Sequence, residues 1–254
     1  MKKLELQSVK DLLDTKVIEY NTRRFIQDDP ISIPHQFSKK QDIEIAALFS
    51  ATIAWGNRKS IIKNANSFMN LMDNSPFDFV TNYSASELRR LDSFVHRTFN
   101  GNDAKEFIKS LHEVYKKHDS LEELFLVKGN ALLKIAAFRQ HFTSHFKTTH
   151  ALKHVSNPES GSAAKRLNMF LRWMVRNDKQ GVDFGIWKKI SPADLMLPLD
   201  VHTGNTARKL GLLKRKQDDR KAVEEVMEML KIFDPKDPVK YDFALFGLGV
   251  FEKF

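Results

Sequence analysis

The chain has 254 residues, 42% hydrophobic and 29% charged, so it is long enough for a sizeable core and too apolar for a disordered segment. Its 41 Lys and Arg exceed its 32 Asp and Glu by nine charges, which points to a polyanionic partner, nucleic acid first, against the plainer reading of a basic protein with none. The lack of any cysteine excludes disulfides, thiolate metal sites, iron–sulfur clusters and cysteine nucleophiles, while the lack of a long apolar run excludes a membrane span and a signal peptide, leaving a cytoplasmic monomer as the expectation.

Twenty Phe against only ten Gly and eight Pro predict aromatic-rich helix packing, with a stacking surface as a second use of the rings. Leu12, Leu13, Val17 and Tyr20 place a first helix over Val9–Arg24, ended by Asp28-Asp29-Pro30 and Ile33-Pro34. Asp42 reads as the N-cap of a helix over Ile43–Trp55, apolar on nearly every face and therefore central and buried. Gly56-Asn57 breaks it. The next helix, Arg58–Met72, turns Ile61, Ile62, Ala65, Phe68 and Met72 inward. Helices then follow over Pro76–Tyr83, Ser86–Phe94 and Ala104–Lys117, and over Leu121–Phe146 with an interruption near Gly129. Beyond a turn at Asn157–Gly161 come a strongly amphipathic helix, Ser162–Arg176, then Val201–Leu210, Ala222–Phe233 and, after the stiff Asp234–Pro238 turn, Val239–Val250. No stretch alternates as a strand would. The expected class is all-α, with helical lobes around a central buried helix, as one domain over 1–254 or as two lobes with a cleft between them.

Two stretches carry chemistry. Ser160-Gly161-Ser162 opens the Ser162–Arg176 helix, where free backbone N–H groups and the helix dipole would make an anion site. Lys165, Arg166, Arg172 and Arg176 add four cations suited to a phosphodiester chain, or else simply a solvated basic face. Asp200 is placed as the N-cap of the next helix and Gly211 as its left-handed C-terminal stop. Capping alone accounts for Asp200. A carboxylate that accepts helix N–H bonds also stays ionised, which is the state that stabilises positive charge on a sugar ring.

The stretch PLDVHTGNTARKLGL resembles the segment that ends the signature of the helix-hairpin-helix DNA glycosylases, in which an aspartate heads a helix closing on an R-x-L-G-L-like turn. AALFSATIAWGNRKSI is similar to that superfamily's first core helix and the turn after it. More closely, SGSAAKRLNMFLRWMVR, FGIW, PLDVHTGNTARKLGL and DPVKYDFALFGLG resemble a bacterial family of unknown function whose fold is glycosylase-like, over nearly the whole chain. The usual Leu-Pro-Gly-Val-Gly hairpin is absent and NPESGSAAK stands in its place, with Lys165 and Asp200 separated by 35 positions (200 − 165). That spacing is nearest to the archaeal 8-oxoguanine glycosylase branch, whose hairpin is also altered.

The resemblance implies a base-excision-repair DNA glycosylase/AP lyase that needs no cofactor and no metal. Asp200 matches the catalytic aspartate and Lys165 the Schiff-base lysine, its pKa lowered by burial or by Arg166. A damaged base would be flipped into a pocket, Lys165 would attack C1′, and Asp200 would take the proton or stabilise the oxocarbenium charge. Arg166, Arg172 and the Ser160–Ser162 turn would hold DNA. Trp55, Trp187 and Phe184 are candidates to stack on the flipped base and compete with a plain core role. Asn57 would probe the opposite strand or merely make its turn. His202 would touch substrate or phosphate, or bond within its own helix. The same fold would also suit an inactive nucleic-acid binder, or an enzyme acting on RNA or a nucleoside. His141 and His145 share a helix face but lack a third ligand, and no metal site is expected from them. Gly247-Leu248-Gly249 lacks the strand and third glycine of a dinucleotide loop and reads as helix packing.

Overall fold

A computed structural model describes residues 3–254 of the chain. Helix accounts for 64% of it and strand for 2%, which makes the protein all-α. In chain order the helices are α1 (Lys3–Tyr20), α2 (Arg24–Gln27), α3 (Lys40–Thr52), α4 (Arg58–Leu71), α5 (Pro76–Asn82), α6 (Ala85–Arg89), α7 (Gly101–Tyr115), α8 (Ala131–Thr143), α9 (Thr149–Leu152), α10 (Lys165–Val175), α11 (Val201–Lys209), α12 (Arg220–Phe233) and α13 (Tyr241–Val250). Ahead of α7, β1 (Val95–His96) and β2 (Phe99–Asn100) form a minimal antiparallel hairpin, too short to leave an alternating signature. No helix among the described residues is long and apolar enough to cross a membrane.

The chain forms two compact units. The first gathers the segment ending at Phe25, Gly129–Leu133 and Asn157–Phe254; the second comprises Ile26–Lys128 and Lys134–Ser156.

In the first unit α13 is the apolar centre and packs against α1 and α11. Its two inner glycines are contact points. A Cβ on Gly247 would lie 2.1 Å from the Tyr20 ring, and one on Gly249 would lie 2.7 Å from Thr206 Oγ1 and 3.1 Å from the His202 carbonyl oxygen. The Gly-Leu-Gly run is thus the means by which α1 and α11 approach α13, as its sequence context indicates.

In the second unit α3 is buried without interruption from Ile43 to Thr52. It is the buried helix that its composition predicts, though it begins three residues earlier. Lys39, not Asp42, occupies the N-cap position, and the Asp42 carboxylate instead accepts the Phe77 N–H at 2.8 Å, capping the start of α5. Within α3 the one buried charge, Glu44, accepts from the Leu121 N–H at 3.0 Å, the Tyr115 hydroxyl at 2.9 Å and the Ser120 hydroxyl. Burial, reinforced by the Glu44 charge, pushes the Tyr115 phenol well up. The phenylalanines are core rather than platform. Phe49 packs on Phe68 at 4.3 Å and on Phe107 at 5.8 Å, and Phe138 stacks between Phe125 at 4.5 Å and Phe142 at 5.0 Å.

Asn100 and Asp103 form a capping box at the head of α7, where Gly101 sits directly on the turn of Arg90–Ser93. A Cβ on Gly101 would meet the Leu91 carbonyl oxygen at 2.2 Å and the Asp92 Cα at 2.8 Å, both backbone atoms that have little room to retreat. Gly101→Ala is therefore expected to lower stability by about 2–3 kcal/mol. Urea denaturation checks this, and an unchanged midpoint would show that the turn yields freely.

Candidate lysine–aspartate site

Asp200 is the N-cap of α11. Its backbone is extended (φ −126°, ψ −177°) and its Oδ1 accepts the Thr203 N–H at 2.9 Å. The helix ends as its sequence suggests, with Gly211 at φ 72°. The Leu212 N–H bonds to the Ala207 carbonyl at 2.8 Å and the Gly211 N–H to the Arg208 carbonyl at 3.0 Å, a Schellman pair.

Asp200's second oxygen, Oδ2, lies 3.0 Å from Nζ of Lys165, the first residue of α10, so the two residues singled out for catalysis meet within the first unit. Burial raises the Asp200 carboxyl pKa. The Lys165 charge and the Thr203 N–H outweigh it, and the net result lies below the ordinary value, which keeps the group ionised near neutrality. The Asp200 side chain is 17% exposed and that of Lys165 36%, so the amine remains reachable.

The segment before Lys165 differs from the expected anion site. Pro158–Ser160 forms a 3-10 turn, with Gly161 following at φ 87°. The N–H groups of Ser160 and Ser162 both bond to the Asn157 carbonyl, and that of Gly161 to the Pro158 carbonyl. Ser160, Gly161 and Ser162 therefore spend their N–H groups on the turn and cannot cradle a phosphate with them. The Ser162 hydroxyl in turn accepts the Ala164 N–H at 3.1 Å. Ala164 is held in the left-handed region (φ 48°, ψ 36°), which delays the helix to Lys165 and places a strained residue directly before the candidate nucleophile.

Arg172 also departs from the expected phosphate-binding role, and so does Arg176. Both are 3% exposed. The Arg172 Nε donates to Asp183 at 3.2 Å and its Nη1 to Asp242; Arg176 meets Asp183 at 3.0 Å, Asp237 at 2.9 Å and Asp178. Two of the four helix cations are thus internal counter-ions. Of the other two, Arg166 is half-buried, and desolvation pulls it down to about 10.

This network contains a residue that sequence reasoning missed. Asp242, in the first turn of α13, is buried beside Arg172, and burial together with the Asp200 charge pushes it up to about 6 although Arg172 opposes the shift. Its only sequence signal is a charge at the head of an otherwise apolar helix.

His202 is exposed on α11 and, with Asn205, Arg208, Lys209, Gly249, Lys253 and Phe254, lines a depression of about 420 Å³. Arg208 is committed there to Asp218 at 2.5 Å and to the Arg215 carbonyl, which leaves His202, Lys209 and Lys253 as groups for an anion. Trp187 is core: it is 1% exposed and packs edge-on to Phe170 at 5.3 Å, so it offers no face to a base. Phe184 is half-buried, its N–H bonded to the Trp173 carbonyl. Trp55 and Asn57 belong to the second unit. Asn57 caps α4, accepting the Ser60 N–H at 3.2 Å, and half-buried Trp55 stacks on His154 at 5.8 Å. The His141 and His145 rings are 6.0 Å apart. Among the described residues, the donor atoms suited to one ion belong to Asp103, His150 and His154, in which the two histidines share the four-residue spacing of His141 and His145 but the carboxylate is distant in sequence.

A family described as a protein of unknown function, DUF2400, matches residues 29–251. No curated protein and no solved structure matches the chain. With the match spanning most of its length, α10 and α11 included, the chain belongs to the DUF2400 family.

Proposed function

We propose that the protein is a DNA glycosylase/AP lyase that removes a damaged base through Lys165 and Asp200. The carrying observation is the 3.0 Å contact between the Lys165 amine and an aspartate that caps the following helix and stays ionised. The similarity of PLDVHTGNTARKLGL to the glycosylase signature supports the same pair, and the positive charge of the chain suits a phosphodiester substrate.

The chemistry balances with the groups at hand. Lys165 gives a proton to Asp200, and its free electron pair attacks C1′ of a flipped-out nucleotide. The glycosidic bond breaks, its electron pair leaves with the base, and the base takes a proton from water. The proton held by Asp200 passes through that water to the departing base, so that the carboxylate faces the cationic sugar ionised. The resulting amine adduct opens to an iminium, loses a C2′ proton, and expels the 3′ phosphate, which accounts for strand cleavage. His202, Lys209 and Lys253, which line the depression beside α11, would meet backbone phosphates.

Borohydride reduction on damaged-base and abasic oligonucleotides tests this, because it freezes the iminium as a stable protein–DNA adduct. The expected result is a covalent band with the wild type and none with Lys165→Ala. No adduct on any oligonucleotide would overturn the lysine mechanism. If a salt-sensitive mobility shift then remained, the protein would be a binder without chemistry.

A further inference from the structure

Asp103, His150 and His154 lie in the second unit, outside the lysine–aspartate site. Their donor atoms all fall within 4.8 Å of one another: His150 Nδ1 is 2.8 Å from Asp103 Oδ1, and His154 Nε2 is 3.3 Å from Asp103 Oδ2. We propose that these three residues bind a divalent first-row transition metal ion, through two imidazoles and one carboxylate, in a site independent of the proposed glycosylase chemistry.

The donor set chooses the ion class. Calcium and magnesium take oxygen ligands almost alone, and soft ions call for thiolates, of which this chain has none. Two imidazoles with one carboxylate suit zinc, cobalt, nickel or ferrous iron, and three protein ligands leave room for water or a substrate atom. The two separations from Asp103 suit one ion as well. Neighbouring ligands about 2.1 Å from a metal stand roughly 3 to 3.5 Å apart, close to the separations from Asp103 to each histidine.

The surroundings hold Asp103 and His154 in place before any ion arrives. Asp103 belongs to the capping box of α7, where its Oδ2 accepts the Asn100 N–H at 3.0 Å, which anchors the carboxylate to a rigid helix head. The His154 ring stands between two aromatic neighbours. Trp55 stacks on it at 5.8 Å with planes 21° apart, and Phe99 meets it edge-on at 4.9 Å. His150, on the short helix α9, lies four positions before His154 and keeps 44% of its side chain exposed, which gives an ion a way in. Asp103 and His154 are buried beneath it. Such fixed outer contacts are characteristic of built metal sites. A plain hydrogen-bond cluster would use the same contacts, but it would show no preference among ions. Coordination asks only that each neutral imidazole carry its proton on the ring nitrogen turned away from the metal.

Titration calorimetry of the full chain with zinc chloride, with cobalt absorption spectra as a second readout, tests the site. The expected result is one equivalent bound per chain, with a rise of a few degrees in Tm on loading. His150→Ala, at a half-exposed position that tolerates truncation, and Asp103→Asn, which retains an oxygen for the capping box, should each weaken binding at least about a hundredfold. His141→Ala with His145→Ala should leave it unchanged. Absence of stoichiometric binding, or binding that survives His150→Ala and is lost with the His141/His145 pair, would overturn the proposal. Neither outcome bears on borohydride trapping at Lys165, so the two sites stand or fall separately.

Discussion

Arg172→Ala is expected to destabilise the first unit by about 3–5 kcal/mol, because it strands the buried Asp183 and Asp242 carboxylates with one fewer counter-ion. The loss should depend on pH in a definite direction. Burial pushes Asp242 up to about 6 from its usual 3.8, so the folded protein holds this proton more tightly than the unfolded chain does. A carboxyl group shifted upward favours folding most fully below its unfolded value, and that contribution disappears as pH rises through the folded one. Between about pH 4 and 6, then, Asp242 can be neutral in the fold and needs Arg172 less. The penalty of Arg172→Ala should be largest above pH 6 and shrink toward pH 5. Urea unfolding of wild type and variant at several pH values measures it, with the DNA affinity of any folded fraction as a second readout. A variant of normal stability that had lost only DNA binding would return Arg172 to the surface role that its position on a basic helix suggests.

Asp200→Asn is expected to leave stability within about 0.5 kcal/mol of wild type, since asparagine caps a helix as well as aspartate does. On the proposed lysine mechanism it should nevertheless lower base excision by about a thousandfold, through loss of the proton acceptor and of the charge facing the sugar. Asp200→Ala should add about 1 kcal/mol of destabilisation by leaving the Thr203 N–H uncapped. The pair of variants separates the two roles that one side chain combines. If Asp200→Asn excised bases at the wild-type rate, the aspartate would be a cap and nothing more.

The parts of the molecule that were legible in its sequence are those set by local rules. Helix period and punctuation locate α4, α11 and α12 to within two residues, and the Asp200 cap and Gly211 stop follow from the chemistry of helix ends. The pairing of Lys165 with Asp200 was also legible, through resemblance rather than through any periodicity. What escaped was set by tertiary neighbours. Asp42 caps a helix that begins 34 residues later (76 − 42), and Arg172 turns inward because Asp183, from the loop after its own helix, and Asp242, 70 positions away, meet it there. Ser160, Gly161 and Ser162 look like a helix entry, yet the left-handed Ala164 makes them a separate turn. The Asp103–His150–His154 cluster depends on α7 and α9 packing together: its two histidines have the same four-residue spacing as His141 and His145, and only the fold brings a carboxylate to one pair and not the other.

The first unit is stitched from both ends of the chain, with α1 seated against α13 more than 200 positions away. On the ribosome, nearly all of the second unit emerges before α10 to α13 exist, so it can condense first while α1 waits with its partner unmade. Closing that long loop comes late and is slow. During synthesis the face of α1 that will cover Gly247 therefore stands open to chaperones or to other nascent chains, and the lysine–aspartate pair is assembled only when the last third of the chain has arrived.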